Sequence, residues 1–386
     1  MKIVIAIDSF KGSLTSLEAG AAAEKGVRRV FPEAETVVKP LADGGEGTMK
    51  ALTCGLGGAE QTVAVTGPFG EPVKAVYGVI ARSRTAVIDI AQAAGLTLIP
   101  EAARDPLTAT TFGVGELLAA AIKKGARRLI VGLGGSGTND GGAGMLQALG
   151  FELLDAAGKP IMRGARGLAD LAQIKTDHAL PELAECTFEI ACDVENPLYG
   201  PHGSSVVFAP QKGAAAEMIP KMDRWLKHYA ALASKIFPQA DPTLPGSGAA
   251  GGLGFAFAVF LGARLLPGVE LVAKEVKLAE ALSGADLLIT GEGRIDAQTA
   301  MGKAPAGAAK IAKRAALPVV AFSGSLGSGA NAVNEAGIDA FFAILPAVIP
   351  LAEAMEKTHA AANLCATVEQ ALRLWQIAQK SAGTAK

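Results

Sequence analysis

A glycine-rich stretch that also carries polar side chains, GLGGSGTNDGGAGM (residues 132–145), is the segment best suited to hold a phosphate group. It follows the apolar residues 129–131, which predict a buried strand, and it leads into residues 146–149, which predict a helix. Backbone N–H groups and the positive end of the helix dipole attract anions at such a junction. Glycines alone would equally suit a tight structural turn. The polar residues among them, where a ligand can approach the backbone closely, favour the phosphate site.

Carboxylates follow predicted strands at four further places, in residues 8–13, 43–48, 193–198 and 291–296. Any one of these segments could be no more than a capped helix start. Open α/β sheets, however, bind their ligands at the carboxyl ends of the strands. Together the segments supply what phosphoryl transfer needs: carboxylates for a divalent metal, glycine amides and a lysine or arginine for phosphates, and an aspartate to accept a hydroxyl proton.

Other chemistries fit less well. The four histidines are far apart and lack zinc-site spacing, and the chain contains neither GxSxG nor GxxxxGK[ST]. The main alternative is a dinucleotide site, because Gly132, Gly134 and Gly137 match GxGxxG and Asp155 follows near the expected distance. That pattern favours an NAD-dependent dehydrogenase acting on a small hydroxy acid. Against it, Asp140 would repel a pyrophosphate unless a metal lay between them, and NAD requires no metal.

The order of predicted elements indicates an α/β protein with two domains. Residues 1–60 and 267–386 show alternating strands and helices, which predicts a discontinuous Rossmann-like domain with a parallel sheet. Residues 61–266 interrupt it as an inserted second α/β domain that carries the glycine-rich phosphate loop. This insert opens with three strands that have no helix between them. Further strands are predicted at residues 205–208 and 269–272, and residues 291–296 are predicted to form a loop.

Charge and cysteine content exclude several classes of protein. The formal net charge is −1 with scattered lysines and arginines, so no nucleic acid or anionic membrane partner is expected. The longest apolar stretch, residues 255–262, is far shorter than the ~20 residues of a membrane helix. The four cysteines form no CxxC pair, and a disulfide framework is not expected in so long a chain. A cytoplasmic enzyme is therefore expected.

Six motifs, taken together, resemble the glycerate kinase type-1 family, the bacterial glycerate 2-kinases. They are DSFKGSL (8–14), ADGGEGT (42–48), GGSGTNDGGAGM (134–145), DVENPLYGPHG (193–203), FAPQKGA (208–214) and ITGEGRIDAQT (289–299). The resemblance covers nearly the whole chain. It implies transfer of the γ-phosphoryl group of ATP to D-glycerate, giving 2-phosphoglycerate and ADP, with ATP and Mg²⁺ as cofactors. It also implies a Rossmann-like domain interrupted by an α/β domain of the swivelling type.

Side-chain chemistry then assigns roles to the residues of these motifs. Glycerate carries a carboxylate and two hydroxyls, so its pocket needs a cation and hydrogen-bonding groups; the substrate candidates are Asp8, Ser9, Lys11, Asp43, Glu46 and Arg294. The phosphate-binding candidates are Gly134, Gly135, Ser136, Thr138, Asn139 and Asp140. The catalytic candidates are Asp193, Asp43 and Lys11, and the metal candidates are Asp193, Glu292 and Asp296.

Alternatives to these roles remain. Asp8 could instead cap a turn, and Arg294 could pair with Asp296. A sugar-acid sensor without catalysis is a third function class, but the chain offers no DNA-binding or partner module for it. The expected partners are D-glycerate and ATP, and the expected assembly is a monomer or homodimer.

Overall fold

The structure of the protein, a computed structural model, describes the backbone of residues 1–384 and the side chains through residue 380. The chain forms two compact units. Unit 1 comprises Met1–Asp43 together with the chain from Val269 onward, and unit 2 comprises Gly44–Gly268.

Strands and helices alternate along most of the chain. The strands are β1 (Lys2–Ile7), β2 (Glu35–Val38), β3 (Ala59–Thr66), β4 (Pro72–Ile80), β5 (Thr85–Asp89), β6 (Arg128–Gly132), β7 (Glu152–Leu154), β8 (Gln173–Lys175), β9 (Thr187–Ala191), β10 (Arg264–Leu266), β11 (Leu287–Ile295), β12 (Val319–Leu326) and β13 (Ala340–Ala343). The helices are α1 (Ser16–Val30), α2 (Thr48–Gly55), α3 (Ala91–Ala94), α4 (Phe112–Lys123), α5 (Ala143–Ala148), α6 (Ser204–Phe208), α7 (Ile219–Ile236), α8 (Ala249–Phe260), α9 (Gly268–Glu275), α10 (Leu278–Leu282), α11 (Ala297–Ala300), α12 (Ala304–Lys313), α13 (Ala332–Glu335), α14 (Leu351–Ala354) and α15 (Lys357–Thr384).

Unit 1 is built on a parallel sheet with the strand order β13-β12-β11-β1-β2. Strand β1 lies inside this sheet because its β-branched residues are buried on both faces. Helix α1 begins at a capping box formed by Thr15 and Glu18, as the sequence predicts, and packs against α15. The register pairs Ile7 with Gly291, so the carboxyl end of β1 lies beside the middle of β11.

Unit 2 contains a mixed sheet with the strand order β10-β9-β6-β5-β4-β3. Strands β3, β4 and β5 are antiparallel neighbours, as their helix-free sequence predicts, whereas β5, β6, β9 and β10 are parallel. Strands β7 and β8 form a separate hairpin. The register pairs Asp89 with Gly132 and Gly132 with Ala191, so the ends of three strands bring their loops to one edge of the sheet.

The units divide at slightly different positions from the predicted boundaries at residues 60 and 266. The chain enters unit 2 at Gly44 and leaves it at Gly268. Residues 44–60 belong to unit 2 because α2 packs against β4 and β5. Hydrophobic periodicity identifies a helix, but it does not say which sheet the helix covers.

Three predictions of local structure are wrong. Residues 205–208 lie in α6, and residues 269–272 lie in α9, because short apolar runs suit a strand and a buried helix equally. Residues 291–295 are not a loop but continue β11, where Glu292 pairs with Ser323 and Arg294 with Ser325. Gly291 serves strand packing, since a Cβ there would lie 2.0 Å from the carbonyl oxygen of Phe322. Among the described residues, no helix combines the length and hydropathy that crossing a bilayer requires.

Candidate functional site

The glycine loop, residues 133–142 between β6 and α5, presents backbone donors that suit an anion. Gly135, Gly141 and Gly142 have φ angles of 74°, 65° and 77°, which glycine adopts without strain. Within the described part of the chain, no acceptor receives the backbone N–H groups of Gly134, Gly135 and Ser136, where the loop reaches the surface. Buried backbone donors are nearly always paired in folded proteins. A group of open donors in one short loop therefore fits a phosphate.

The side chains of the glycine loop are engaged within the protein. The Ser136 and Thr138 hydroxyl oxygens lie 3.1 Å apart, and the Thr138 N–H donates to Ser136 Oγ at 3.2 Å. Asn139 Nδ2 donates to Ser205 Oγ at 3.0 Å. These three side chains, predicted as phosphate ligands, thus shape the loop, and its backbone carries the open donors.

Asp140 is a hydrogen-bond centre for the end of the glycine loop. Its fully buried carboxylate accepts from the Thr111 N–H at 2.9 Å, from the Gly142 N–H at 3.1 Å and from the Gly144 N–H at 3.2 Å. Thr111 Oγ1 also donates to it and in turn accepts the N–H of Met145. Burial raises the pKa of Asp140, and the backbone and hydroxyl donors oppose that rise. The carboxylate therefore joins the start of α4 to the start of α5.

A second loop, residues 44–47, packs against the glycine loop. A Cβ on Gly134 would lie 2.5 Å from the Cα of Gly45, so glycine is required for this approach. The loop is held by Asp89, which is 4% exposed and accepts the N–H groups of Gly47 at 3.0 Å and Met49 at 3.1 Å. Asp89 was not predicted as a functional residue. Its only signal in the sequence is its position directly after the apolar residues 86–88.

Unit 1 brings carboxylates together at the carboxyl end of β1. Asp8 is 5% exposed, and burial raises its pKa to about 7, with a further rise from the charge of Asp43. The Ser9 N–H donates to Asp8 Oδ1 at 2.6 Å, which is the turn-capping contact named as an alternative role. Lys11 Nζ lies 3.9 Å from Asp43 Oδ2, and its side chain is 67% exposed. The ammonium is therefore accessible to a ligand.

Glu292 belongs to the same electrostatic group, because its charge also raises the pKa of Asp8. Glu292 is 8% exposed, its own pKa is raised by burial, and it accepts a hydrogen bond from Thr299 Oγ1 at 2.6 Å. Asp296 instead caps α11 by accepting the N–H of Gln298 at 2.9 Å. Arg294 Nε lies 3.5 Å from Asp296 Oδ2, as its alternative role requires.

Asp193, the leading catalytic candidate, lies in unit 2 just after β9. Its side chain is accessible, since the residue is exposed, and Asp193 Oδ1 accepts the N–H of Gly268 at 2.7 Å. Glu46 is also exposed in unit 2. The three predicted metal ligands therefore fall in different units, with Glu292 and Asp296 in unit 1.

The unit 1 carboxylates fit Mg²⁺ by their chemistry. Within the described residues, no three histidine, cysteine, aspartate or glutamate side chains are close enough to chelate an ion by themselves. Mg²⁺ does not require such a set, since it keeps several waters and takes one or two carboxylates plus substrate phosphates. The mutual repulsion of Asp8, Asp43 and Glu292 is what a hard cation would relieve.

The dinucleotide alternative loses its structural basis. The strand that follows α5 is β7, which pairs with β8 in a separate hairpin and not with β6. A dinucleotide site needs that strand beside the first, with its acidic end on the ribose. Asp155 instead holds the turn that follows β7, by accepting the N–H groups of Ala157 and Lys159, both at 2.9 Å.

Comparisons with known proteins agree along the whole chain. The model of the glycerate kinase family matches residues 3–376. The chain is 49% identical to the glycerate kinase of Bacillus subtilis strain 168, over 94% of each chain. It is 46% identical to the glycerate 2-kinase of Escherichia coli K12, over 97% of this chain and 99% of that one. A crystal structure from Salmonella typhimurium LT2, described under the name glycerate kinase 2, superposes with a TM-score of 0.91 at 45% identity, over 98% of this chain and 99% of that one.

Proposed function

The chain belongs to the glycerate kinase family, and we propose that it transfers the γ-phosphoryl group of ATP to the 2-hydroxyl of D-glycerate, giving 2-phosphoglycerate and ADP. Membership of the family makes the chain a kinase. The name of the E. coli relative, glycerate 2-kinase, supports the choice of the 2-hydroxyl. We also propose that the two units are the Rossmann-like and swivelling-type domains, and that the protein acts in the cytoplasm as a monomer or homodimer.

The observation that carries the nucleotide part of the proposal is the set of open backbone donors in the glycine loop. These N–H groups would hold the phosphates of ATP, since preorganised backbone dipoles stabilise phosphate charge without the cost of rearranging side chains. The Ser136–Thr138 and Asn139–Ser205 hydrogen bonds keep the loop in that form.

The acceptor would be held by the groups at the carboxyl end of β1. The exposed ammonium of Lys11 suits the carboxylate of glycerate, and Ser9 offers a hydroxyl for a hydrogen bond. Asp43 or Asp193 would accept the proton of the attacking hydroxyl.

Mg²⁺ belongs to the proposal as a companion of ATP. Glu292 and Asp8 are the carboxylates of unit 1 that would hold it, because both are nearly buried and face further negative charge. When bound, the ion would neutralise charge that develops on the phosphates.

Product analysis tests the reaction. The purified protein is incubated with Mg-ATP and D-glycerate, ADP is followed by a coupled assay, and the product is examined by phosphorus NMR. The phosphorus of 2-phosphoglycerate couples to one proton and gives a doublet, whereas that of 3-phosphoglycerate couples to two protons and gives a triplet. L-glycerate and a sample without acceptor are the controls. A triplet would contradict the 2-hydroxyl, and ADP release independent of glycerate would contradict the acceptor.

A further inference from the structure

A lysine lies buried behind the glycine loop. Lys212 ends a short 3₁₀ turn, Pro210–Lys212, in the motif FAPQKGA, and only 2% of its surface is exposed. The neighbouring core cluster is apolar and includes Ala209 and Met222. The proposed reaction gives this side chain no role, since it does not reach the surface.

The ammonium of Lys212 is aimed at one atom of the glycine loop. Its Nζ donates to the carbonyl oxygen of Thr138 at 2.6 Å, across 74 residues of sequence. That carbonyl is also approached closely by the backbone of Gly251, where a Cβ would lie 2.1 Å from the oxygen. The Gly251 carbonyl in turn accepts the N–H of Gly141 at 2.8 Å. The middle of the glycine loop is thus held between Lys212 and Gly251.

The hydrogen bond to the Thr138 carbonyl also fixes the orientation of the next N–H, that of Asn139. The peptide unit is planar and trans, so the Thr138 carbonyl and the Asn139 N–H point in opposite directions. With the carbonyl turned toward Lys212, the Asn139 N–H is turned away from it. Asn139 is fully buried, so this peptide unit does not itself reach a ligand. Its orientation instead fixes the form of the loop at Ser136, whose hydroxyl lies 3.1 Å from that of Thr138.

Stability alone does not account for a lysine at this position. Burying an ammonium costs free energy, and a well-packed apolar side chain of similar size is often as stabilising or more so. The cost is reflected in the pKa of Lys212, which burial lowers to about 7 against an opposing contribution from Asp140. Asp140 does not depend on Lys212 for a partner, because Thr111, Gly142 and Gly144 already donate to it.

We propose that Lys212 is a positioning residue for nucleotide binding, which holds the Thr138 carbonyl and so keeps the glycine loop in the form whose accessible N–H groups, at Gly134, Gly135 and Ser136, would meet a phosphate of ATP. The proposal rests on the proposed function in one respect, namely that the glycine loop binds the phosphates. It adds a residue that touches neither substrate and acts through the backbone of the loop.

The test is Lys212→Met, an unbranched apolar replacement of similar length. Two quantities are measured: the dissociation constant of Mg-ADP by titration calorimetry, and the Michaelis constants for ATP and D-glycerate. Loss of a hydrogen bond from a charged donor should weaken nucleotide binding at least about tenfold, while the Michaelis constant for glycerate stays within about twofold. Below pH 7, where the lysine is charged, the melting temperature should not fall, because the substitution removes the cost of burying that charge.

Met222→Ala is the matched control. It removes apolar packing from the cluster that includes Ala209, so it should lower the melting temperature and leave nucleotide affinity unchanged. Lys212→Gln is the conservative variant, since its amide can still donate to the Thr138 carbonyl. It should recover part of the affinity, and it also serves as the test if Lys212→Met does not fold.

The outcomes separate this proposal from the proposed function. If the wild type binds Mg-ADP and both Lys212 variants bind it equally well, Lys212 does not position the loop. If Lys212→Met behaves like Met222→Ala, with lower stability and normal affinity, its role is structural and the proposal is overturned. If the wild type itself binds no adenine nucleotide, the nucleotide function fails and the proposal fails with it.

Discussion

Replacing Gly135 with alanine tests whether the glycine loop needs a left-handed residue to bind phosphate. Gly135 has a φ angle of 74°, and a Cβ there would lie 3.4 Å from the Cβ of Ala91, an ordinary contact. The cost of the substitution is therefore backbone strain, about 1–2 kcal/mol for a residue other than glycine in this region. That free energy must appear in one of two places.

If the loop keeps its shape, the folded state carries the strain, and the melting temperature falls by about 2–4 °C for each kcal/mol in a unit of this size. If the loop relaxes, the folded state does not carry the strain energy, but the binding of ATP must then supply it to restore the strained form. The Michaelis constant for ATP then rises about 5- to 30-fold for 1–2 kcal/mol. The Michaelis constant for glycerate should not change. Gly135→Val should also raise the Michaelis constant for ATP.

Gly158→Ala is the matched control. Gly158 has a φ angle of 76° with nothing within 4 Å of an added Cβ, and it lies in the turn between β7 and β8, away from the glycine loop. The backbone strain in Gly158→Ala should lower the melting temperature and leave the Michaelis constants for ATP and glycerate unchanged. The assay is a thermal melt of each variant with steady-state kinetics at varied ATP and varied glycerate. If Gly135→Ala has the wild-type melting temperature and the wild-type Michaelis constant for ATP, the argument from the left-handed backbone at Gly135 is refuted. If the Michaelis constant for glycerate changes more than that for ATP, the loop binds the acceptor and not the nucleotide.

Three further predictions concern carboxylates. Asp193→Asn should lower turnover about a hundredfold or more while nucleotide still binds. Partial rescue of turnover by Mn²⁺ would identify Asp193 as a metal ligand, and absence of rescue would identify it as a base. Near-normal turnover would make Asp43 the leading catalytic candidate. Asp140→Asn should lower the unfolding free energy by about 1–3 kcal/mol, since an amide cannot accept from all the donors that surround the carboxylate, and an unchanged denaturation midpoint would contradict this. Glu18→Gln should cost less than about 1 kcal/mol at pH 7, because the glutamine amide oxygen still accepts the Thr15 N–H but without the charge. Because hydrogen bonds from Thr15 lower the pKa of Glu18 to about 2, from 4.5, this stabilisation is present above pH 4.5 and lost as the pH falls toward 2, so the two melting curves should then converge.

Buried charge at Lys212 gives one more prediction. Its pKa is lowered from 10.5 to about 7 by burial, so between these values the folded state binds fewer protons than the unfolded state. Its contribution to stability therefore rises with pH from 7 toward 10.5 and is lost as the pH falls through 7. The melting temperature of the wild type, relative to that of Lys212→Met, should increase between pH 7 and pH 9. A constant difference would contradict a buried, titrating lysine.

The secondary structure around the candidate site was predictable from the sequence, because its signals are local. The apolar run before Gly132, the glycines and the helix after them predict a strand, a loop and a helix, and the structure has β6, the glycine loop and α5 in that order. The capping box of Thr15 and Glu18 spans four residues and was predicted correctly. Periodicity and cap residues act over one or two turns of chain, so a single sequence displays them.

The tertiary structure decided which polar side chains of the glycine loop are engaged within the protein. Asn139 meets Ser205, 66 residues away, and Lys212 meets Thr138, 74 residues away. Most buried donors and acceptors are paired, and the partner is set by the path of the chain and not by the neighbours in sequence. For the same reason GEGRI, whose glycines suggest a loop, extends β11 beside β12. The sequence predicts which residue types the proposed site needs, whereas burial and distant hydrogen bonds determine which of those side chains are engaged within the protein.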